Sequence, residues 1–345
     1  MARQIEKNTI WEIARTAGVS IATVSRAMRA ETRGKVAPET LKHIEAIVKK
    51  RHYTPSLSAR NLRATRFKTI GFMIPHIHNI FLSDYYSKLF CGFSNSLMGS
   101  DYRFKLVALK PYARKWDGYP FRSAEAIDAM VVEYWPTFFT PKFKVDVPCV
   151  IINDPADGIR AHFVTSDNEA GGELAARCLY EQGHECIAVL RGQEWSTDSD
   201  LRIKGFKRTM ARVGTAVPNE MIFKGEYEEE DAARITERIF LEKKKVTAFF
   251  CCNDNMAFGV MRKLKQLGLR CPEDVSVVGF DDEGRASHSD PPLTTVRAMT
   301  QELGKVASEK IIALLEGKIS DKEFFYKKTV LPVSLIERKS VGPVR

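Results

Sequence analysis

The sequence predicts a small all-α head joined to an α/β core built on doubly wound parallel sheets. From Thr69 onward, short apolar runs alternate with amphipathic stretches, the pattern of strands covered by helices on both faces. Before Thr69 the apolar residues recur three and four apart, which puts them on one face of successive helices. The charge divides at the same place. Residues 1–68 hold 15 Lys/Arg against 5 Asp/Glu and so carry the whole formal net charge of +10, leaving 38 of each sign in the remainder. We therefore divide the chain into a head (1–55), a linker segment (56–68) and a core (69–345).

In the head, Ile10, Ile13, Ala14 and Ala17 share one face of a helix over Thr9–Thr16. Ala17-Gly18-Val19 reads as a tight turn, with Gly18 available for a positive φ. Ser20 is a good N-cap for a second helix, Ser20–Met28, because its hydroxyl can accept a first-turn N–H. This is a helix-turn-helix, whose second helix enters the DNA major groove by its N-terminal end. Val19, Val24 and Ala27 should face the small core, leaving Ile21, Ala22, Ser25, Arg26 and Arg29 outward. An ordinary helical hairpin with a basic solvated face would share this pattern. A third amphipathic helix runs from Pro38 to Arg51, and proline suits its first turn. Segregated positive charge favours nucleic acid as partner, since cations that displace condensed counterions drive binding.

The core reads as strands at 69–75, 103–109, 129–133, 148–153, 186–191, 247–252 and 275–281. Helices fall at 83–98, 169–182, 200–212, 229–243, 256–267 and 300–315. Two parallel sheets fit this length, with a cleft between them. We expect lobe 1 at about 69–165 and 297–322, and lobe 2 at about 166–296 and 323–345.

Several classes are disfavoured. No apolar run approaches the roughly 18 residues of a membrane span, and residues 1–7 lack the apolar stretch of a secretory signal, so a cytoplasmic, membrane-free protein is expected. The seven cysteines show no C-x-x-C or zinc spacing and suit small buried hydrophobes. The histidines show no metal spacing either, so neither metal nor cofactor is expected. Without a G-x-G-x-x-G, Walker loop or nucleophile elbow, an enzyme has no support. A transport-type binding protein would account for the core alone and not for the basic head. The tail after Glu337 has no leucine heptad for a tetramer.

The ordered motifs resemble one family. The run Gly18-Val19-Ser20-Ile21-Ala22-Thr23-Val24-Ser25-Arg26 is followed by Tyr53-Thr54-Pro55 and Ala59-Arg60-Asn61-Leu62. Later come TIGFMIP from Thr69, SDNEAGG from Ser166, RIKGF from Arg202, CCNDNMAFG from Cys251, PEDVSVVGFDD from Pro272 and PPLTTVR from Pro291. Together these resemble the lactose-repressor (LacI) family of bacterial transcription regulators, over nearly the whole stretch from Thr9 to Arg338. The resemblance implies a core built like periplasmic sugar-binding proteins and a homodimer on pseudo-palindromic operator DNA. It also implies control by a small-molecule effector, expected to be a sugar or sugar derivative. Ser56–Leu62, too short to be a stable helix alone, corresponds to a hinge helix whose Ala59 and Leu62 enter the minor groove, Leu62 as a wedge. A flexible tether is the other reading of this segment.

On the recognition helix, Arg26 can read guanine O6 and N7. Ile21 and Ala22 can meet only apolar surface such as a thymine methyl. Ser20, Thr23 and Ser25 suit phosphate oxygens, and Arg29 stands where the family often has Asn. By motif, the effector contacts are Arg202, a planar fork of donors, Asn253, donor and acceptor, and Asp281, an acceptor for two hydroxyls. Arg202 could instead be an inter-lobe structural pair, and Asn253-Asp254 a capped turn. Asp167 and Asp282 read equally as ligands and as helix or loop caps. Phe81 keeps the aromatic that the family has after its first core strand, and Asn153 replaces an acid that the family often has at the end of the strand over 148–153. Trp135 and Trp195 suit either stacking on a sugar face or plain packing, whereas packing is favoured for Tyr134.

Overall fold

A computed structural model describes residues 9–28, 32–51, 53, 66–75, 83–109, 120–133, 145–153, 159–194 and 196–344. The chain forms two compact units, Met1–Phe67 and Lys68–Arg345. This division falls within a residue of the core boundary expected from the charge.

In the first unit, helix α1 (Ile10–Ala17) starts with a capping box, in which the Thr9 N–H donates to Glu12 and the Glu12 N–H to Thr9. It ends at Gly18, whose φ of 65° is the left-handed value the turn required. Helix α2 (Ile21–Ala27) is capped by Ser20, whose Oγ accepts the Thr23 N–H at 3.1 Å. Helix α3 (Pro38–Lys50) has proline in its first turn. The three helices bury Ile13, Ala14, Val24, Ala27, Val36, Ile44 and Ile47 in one core. Ile21, expected to face outward, is instead half-buried against that core. Its β-branched side chain sits at the first position of α2, where the turn presses it onto the packed face. Ala22 and Arg26 are exposed as expected.

The second unit contains two six-stranded sheets among the described residues. The first sheet uses β1 (Thr69–Pro75), β2 (Arg103–Leu109), β3 (Ala129–Glu133), β4 (Cys149–Ile152), β5 (His162–Ser166) and β11 (Lys327–Leu331), in the order β11-β5-β4-β3-β1-β2. The second uses β6 (Ile187–Arg191), β7 (Ile222–Lys224), β8 (Ala248–Cys251), β9 (Ser276–Phe280), β10 (Thr294–Arg297) and β12 (Ser334–Ile336), in the order β12-β10-β9-β8-β6-β7. All pairings are parallel except β10 with β12. Strands β3, β4, β5, β8 and β9 are buried throughout, as parallel strands covered on both faces must be.

Helices α4 (Asp84–Leu97), α5 (Phe121–Glu125), α10 (Thr300–Leu315) and α11 (Asp321–Phe324) belong to lobe 1. Helices α6 (Asn168–Glu181), α7 (Thr197–Arg212), α8 (Glu229–Leu241) and α9 (Asp254–Gln266) belong to lobe 2. The chain crosses between lobes after β5, after β10 and between Leu331 and Ser334. The last crossing corrects the expected boundary at 323. Residues 327–331 stay in lobe 1 because β11 extends the first sheet, Lys327 pairing with His162 through to Leu331 with Ser166.

Helices α6 and α7 pack closely enough that a Cβ on Gly172 would overlap the Arg202 carbonyl. Below them Phe206 stacks on Phe250 with centroids 4.7 Å apart. Since backbone atoms cannot move aside like a flexible side chain, Gly172→Ala should separate the two helices and lower unfolding stability by about 2 kcal/mol or more, read by urea denaturation. An unchanged midpoint would mean that the helices are free to slide.

Candidate effector cleft and nucleic-acid interface

In open α/β sheets ligands bind at the carboxyl ends of the strands, and the polar residues of this core gather there. On lobe 2, Arg202 projects from the first half of α7. Its Nε donates to Asn168 Oδ1 at 2.8 Å, and its Nη1 to the Cys252 carbonyl just beyond β8. Its plane lies 3.7 Å over the Phe280 ring at the end of β9. Asn168 in turn donates to Asp198 Oδ1 at 3.0 Å. Asp281 follows β9, with Oδ1 3.8 Å from Arg202 Nη1. That is a charge contact rather than a hydrogen bond, and Oδ1 is buried without a hydrogen-bond partner. Arg202, Asn168, Asp198 and Asp281 are all buried.

Lobe 1 contributes Tyr85 and Tyr86 from α4, Glu133 from the end of β3 and Asn153 from the end of β4. Asn153 Nδ2 donates to the Tyr85 hydroxyl at 2.7 Å, and the Tyr86 hydroxyl to Glu133 Oε2 at 3.0 Å. The two tyrosine rings meet edge to face at 5.2 Å. Tyr85 and Tyr86 lie close enough to the second lobe to feel Asp198, Asp281 and Tyr227. The two sets thus lie near each other where the lobes meet, and we take the space between them as the candidate cleft.

The walls are joined at the loop after β9. Lys88 Nζ donates to the Asp282 carbonyl at 2.9 Å, and the Gly284 N–H to Asp84 Oδ2 at 3.1 Å. Asp254, fully buried, holds the loop from beneath by accepting the Glu283 N–H at 2.7 Å and the Thr295 hydroxyl at 2.5 Å. Asp281 itself has φ 107°, a conformation that a residue with a side chain adopts only when its surroundings impose it.

Burial dominates the electrostatics. It pushes the Asp281 carboxyl up to about 6, against the opposing pull of Arg202. Burial raises Glu133 and Asp254 well above the usual carboxylate range. Glu283 is pushed up to about 7 by burial and then by Asp281 and Asp84. Burial opposes the Arg202 charge, but Asp281, Tyr227 and Asp198 more than offset it and hold the guanidinium above its ordinary value.

Of the residues expected from sequence, Arg202, Asp281 and Asn153 share the cleft. Arg202 is anchored within lobe 2, so it is not an inter-lobe pair. Asn253 caps α9, accepting the Met256 N–H at 2.9 Å and donating to the Tyr227 carbonyl at 3.2 Å. Its amide is occupied in the way the capped-turn reading anticipated. Asp167 caps α6, and Asp282 pairs with Arg297 and Arg338. Phe81, Trp135 and Trp195 lie outside the described residues, as do Tyr134, Arg29, Ser56, Ala59 and Leu62. The residues that sequence reasoning missed are Tyr85, Tyr86, Glu133, Asn168, Asp198 and Tyr227. Glu133, an acid closing the apolar run of β3, was the one with a visible signal. On the head, Ser20 and Thr23 join hydroxyls at 2.9 Å at the start of α2, beside exposed Ala22 and half-buried Ser25.

A helix-turn-helix unit and a two-lobed α/β unit with a polar cleft at its strand ends define a DNA-binding regulator. Residues 9–56 match the bacterial regulatory proteins of the lacI family, and residues 176–341 match a periplasmic binding protein-like domain. The HTH-type transcriptional repressor PurR of Vibrio vulnificus is 32% identical over 324 residues, covering 92% of this chain and 95% of its own. PurR of Vibrio cholerae is 33% identical over 340 residues, covering 96% and 98%. Among solved structures, the lac repressor dimer bound to operator and the anti-inducer ONPF has a TM-score of 0.74 at 23% identity, covering 97% and 99% of the two chains. The transcriptional regulator CelR in complex with cellobiose has 0.72 at 24%, covering 97% and 100%. The chain belongs to the lacI family and is a DNA-binding transcriptional repressor. This removes the reading as a transport-type binding protein, and its relatives are repressors rather than enzymes. Among the described residues no helix is long and apolar enough to cross a membrane.

The raised Asp281 carboxyl has a stability consequence. Between about pH 4 and 6 the folded protein keeps a proton that the unfolded chain has released, so stability falls as pH rises through that window. Asp281→Asn should flatten this fall by up to roughly 3 kcal/mol, the remaining slope belonging to the other raised carboxyls, Glu133, Asp254 and Glu283. Superimposable pH–stability curves for the two proteins would refute the burial of an ionisable Asp281.

Proposed function

We propose that this repressor acts as a homodimer on a pseudo-palindromic operator and is controlled by a small polar molecule bound between the lobes. The observation that carries the effector reading is the buried Arg202–Asn168–Asp198–Asp281 network facing Tyr85, Tyr86, Glu133 and Asn153 across the cleft. Such a network is expensive to bury, and a ligand with several donors and acceptors would complete it. The relatives' name, PurR, weighs against the sugar expected from the sequence, and the cleft chemistry suits any compact ligand rich in hydrogen-bonding groups. The reading needs no cofactor or metal.

The dimer reading rests on the outer edge of the first sheet. Strand β2 ends that sheet, and Phe104 and Leu106, two residues apart on one face, stay exposed. An exposed apolar edge invites pairing or aggregation, and a second copy of the chain is the occupant we assign to it. Recognition helices α2 would then take two half-sites, with the Ser56–Leu62 segment as the hinge between head and core.

Effector and DNA act on each other's affinity through the states of the core, and the coupling is reciprocal. Loop 281–284 is suited to carry it, since it bears Asp281 and also the contacts to Asp84 and Lys88. The test begins with operator selected from a random DNA pool and binding measured with and without sugars and purine bases. Asp281→Asn should abolish any response and leave ligand-free operator affinity largely intact. A normal response in that variant would move the effector site elsewhere.

Arg26→Ala should cost roughly 1–3 kcal/mol on the selected operator and relax preference at one guanine. An equal loss on every sequence would make Arg26 a phosphate contact. Removal of residues 1–68 should leave a folded core with no operator affinity, and the intact protein should lose affinity steeply with salt.

A further inference from the structure

The core begins at Lys68, one residue before β1. Its φ is 49°, a left-handed value that a residue with a side chain adopts only when its surroundings impose it. Three elements act at this point. The start of β2 binds the Lys68 carbonyl, which accepts the Arg103 N–H at 2.9 Å. The residue before β3 takes the Lys68 N–H, which donates to Asp128 Oδ2 at 2.6 Å. Helix α5 supplies Arg122, whose Nη2 lies 3.4 Å from Asp128 Oδ1. Asp128 is 2% exposed, and its own N–H anchors it by donating to the Thr69 carbonyl at 2.8 Å. Lys68 Nζ also pairs with Asp101, but both side chains are exposed, and an exposed ion pair contributes little.

The sheet does not need the Asp128 side chain for its pairing. Strand β1 pairs with β2 from Thr69 and with β3 from Ile70, so the Lys68 N–H lies outside the ladder. A carboxylate is a stronger acceptor for an N–H than a carbonyl is, and here it is spent on the last backbone donor before the linker. That is where a fixed backbone has most effect. A head on a loose attachment samples many positions, and ordering it on an operator costs free energy that a fixed attachment reduces. Phosphate contacts on random DNA make no such demand.

We propose that Asp128 is a positioning residue for operator binding. By holding the Lys68 N–H it fixes the backbone where the linker joins the core, and with it the direction in which the chain leaves toward Ser56–Leu62. This rests on the reading of Ser56–Leu62 as the hinge between head and core.

The test uses full-length protein, its selected operator and random DNA, with binding followed by fluorescence anisotropy and folding by thermal denaturation. Asp128→Ala should lower operator affinity roughly tenfold or more, while affinity for random DNA stays within about twofold of the parent. Asp128→Asn keeps an oxygen that can accept the N–H and should retain most of the operator affinity. Lys68→Pro removes the N–H and cannot adopt the left-handed φ, so it should reproduce the operator loss with Asp128 intact. It carries the test if Asp128→Ala fails to fold. A Gly-Ser-Gly-Ser insertion between Phe67 and Lys68 separates the linker from the held residue. Alone it should cost operator affinity, and adding Asp128→Ala to it should cost no more. If Asp128 served only the stability of the core, it would lower operator affinity by the same factor with and without the insertion. That result would overturn the proposal. So would an unchanged operator affinity in the folded Asp128→Ala or Lys68→Pro protein, or an equal loss on operator and random DNA. If the insertion itself leaves operator affinity unchanged, the hinge reading falls and the role of Asp128 falls with it.

Discussion

The core of this protein is arranged around one guanidinium. Arg202 joins α7 to α6 through Asn168, to the end of β8 through the Cys252 carbonyl, and to the end of β9 through Phe280 and Asp281. A guanidinium cannot shed its charge in a protein, so its burial forces polar partners onto every element around it. Those partners are the lobe 2 wall of the cleft. The closeness of α6 and α7, which glycine at both 172 and 205 permits, brings Arg202 within reach of Asn168 on α6.

From that centre the constraint passes outward through the loop after β9. Asp254 fixes the loop from below, Arg297 and Arg338 hold Asp282 from the side, and Asp84 and Lys88 reach it from the other lobe. Asp281, the residue we propose to meet the effector, is therefore on the segment through which the lobes touch. A displacement of Asp281 cannot be local, because its neighbours in sequence carry the inter-lobe bonds. The unusual φ of Asp281 belongs to the same arrangement.

The head was largely legible in advance. Its helices, its caps and the positive φ at Gly18 follow from local rules that act within four or five residues. Ile21 was the exception, since its placement depended on packing against other helices of the head. The core's strands and helices were likewise legible from apolar runs and helical spacing. Its last crossing was not, because whether residues 327–331 return to the first sheet depends on pairing with β5, more than 150 residues away in sequence. Arg202 and Asp281 were found through motifs. Tyr85, Tyr86 and Asp198 had no local signal, since an aromatic or an acid near a helix start reads equally as packing or capping.

What the sequence alone determined is therefore the kind of molecule. The segregation of positive charge, the helix-turn-helix and the alternation of strand and helix are properties of neighbouring residues. The tertiary structure decided which polar groups are spent on the fold and which remain to face a ligand. Asn253 and Asp281 look alike as site residues in the sequence. In the folded chain Asn253 has both ends of its amide occupied, the oxygen in capping α9 and the nitrogen in donating to the Tyr227 carbonyl, whereas Asp281 keeps a buried oxygen without a hydrogen bond. Burial and pairing are made by residues far apart along the chain, so no pattern of neighbours encodes that difference.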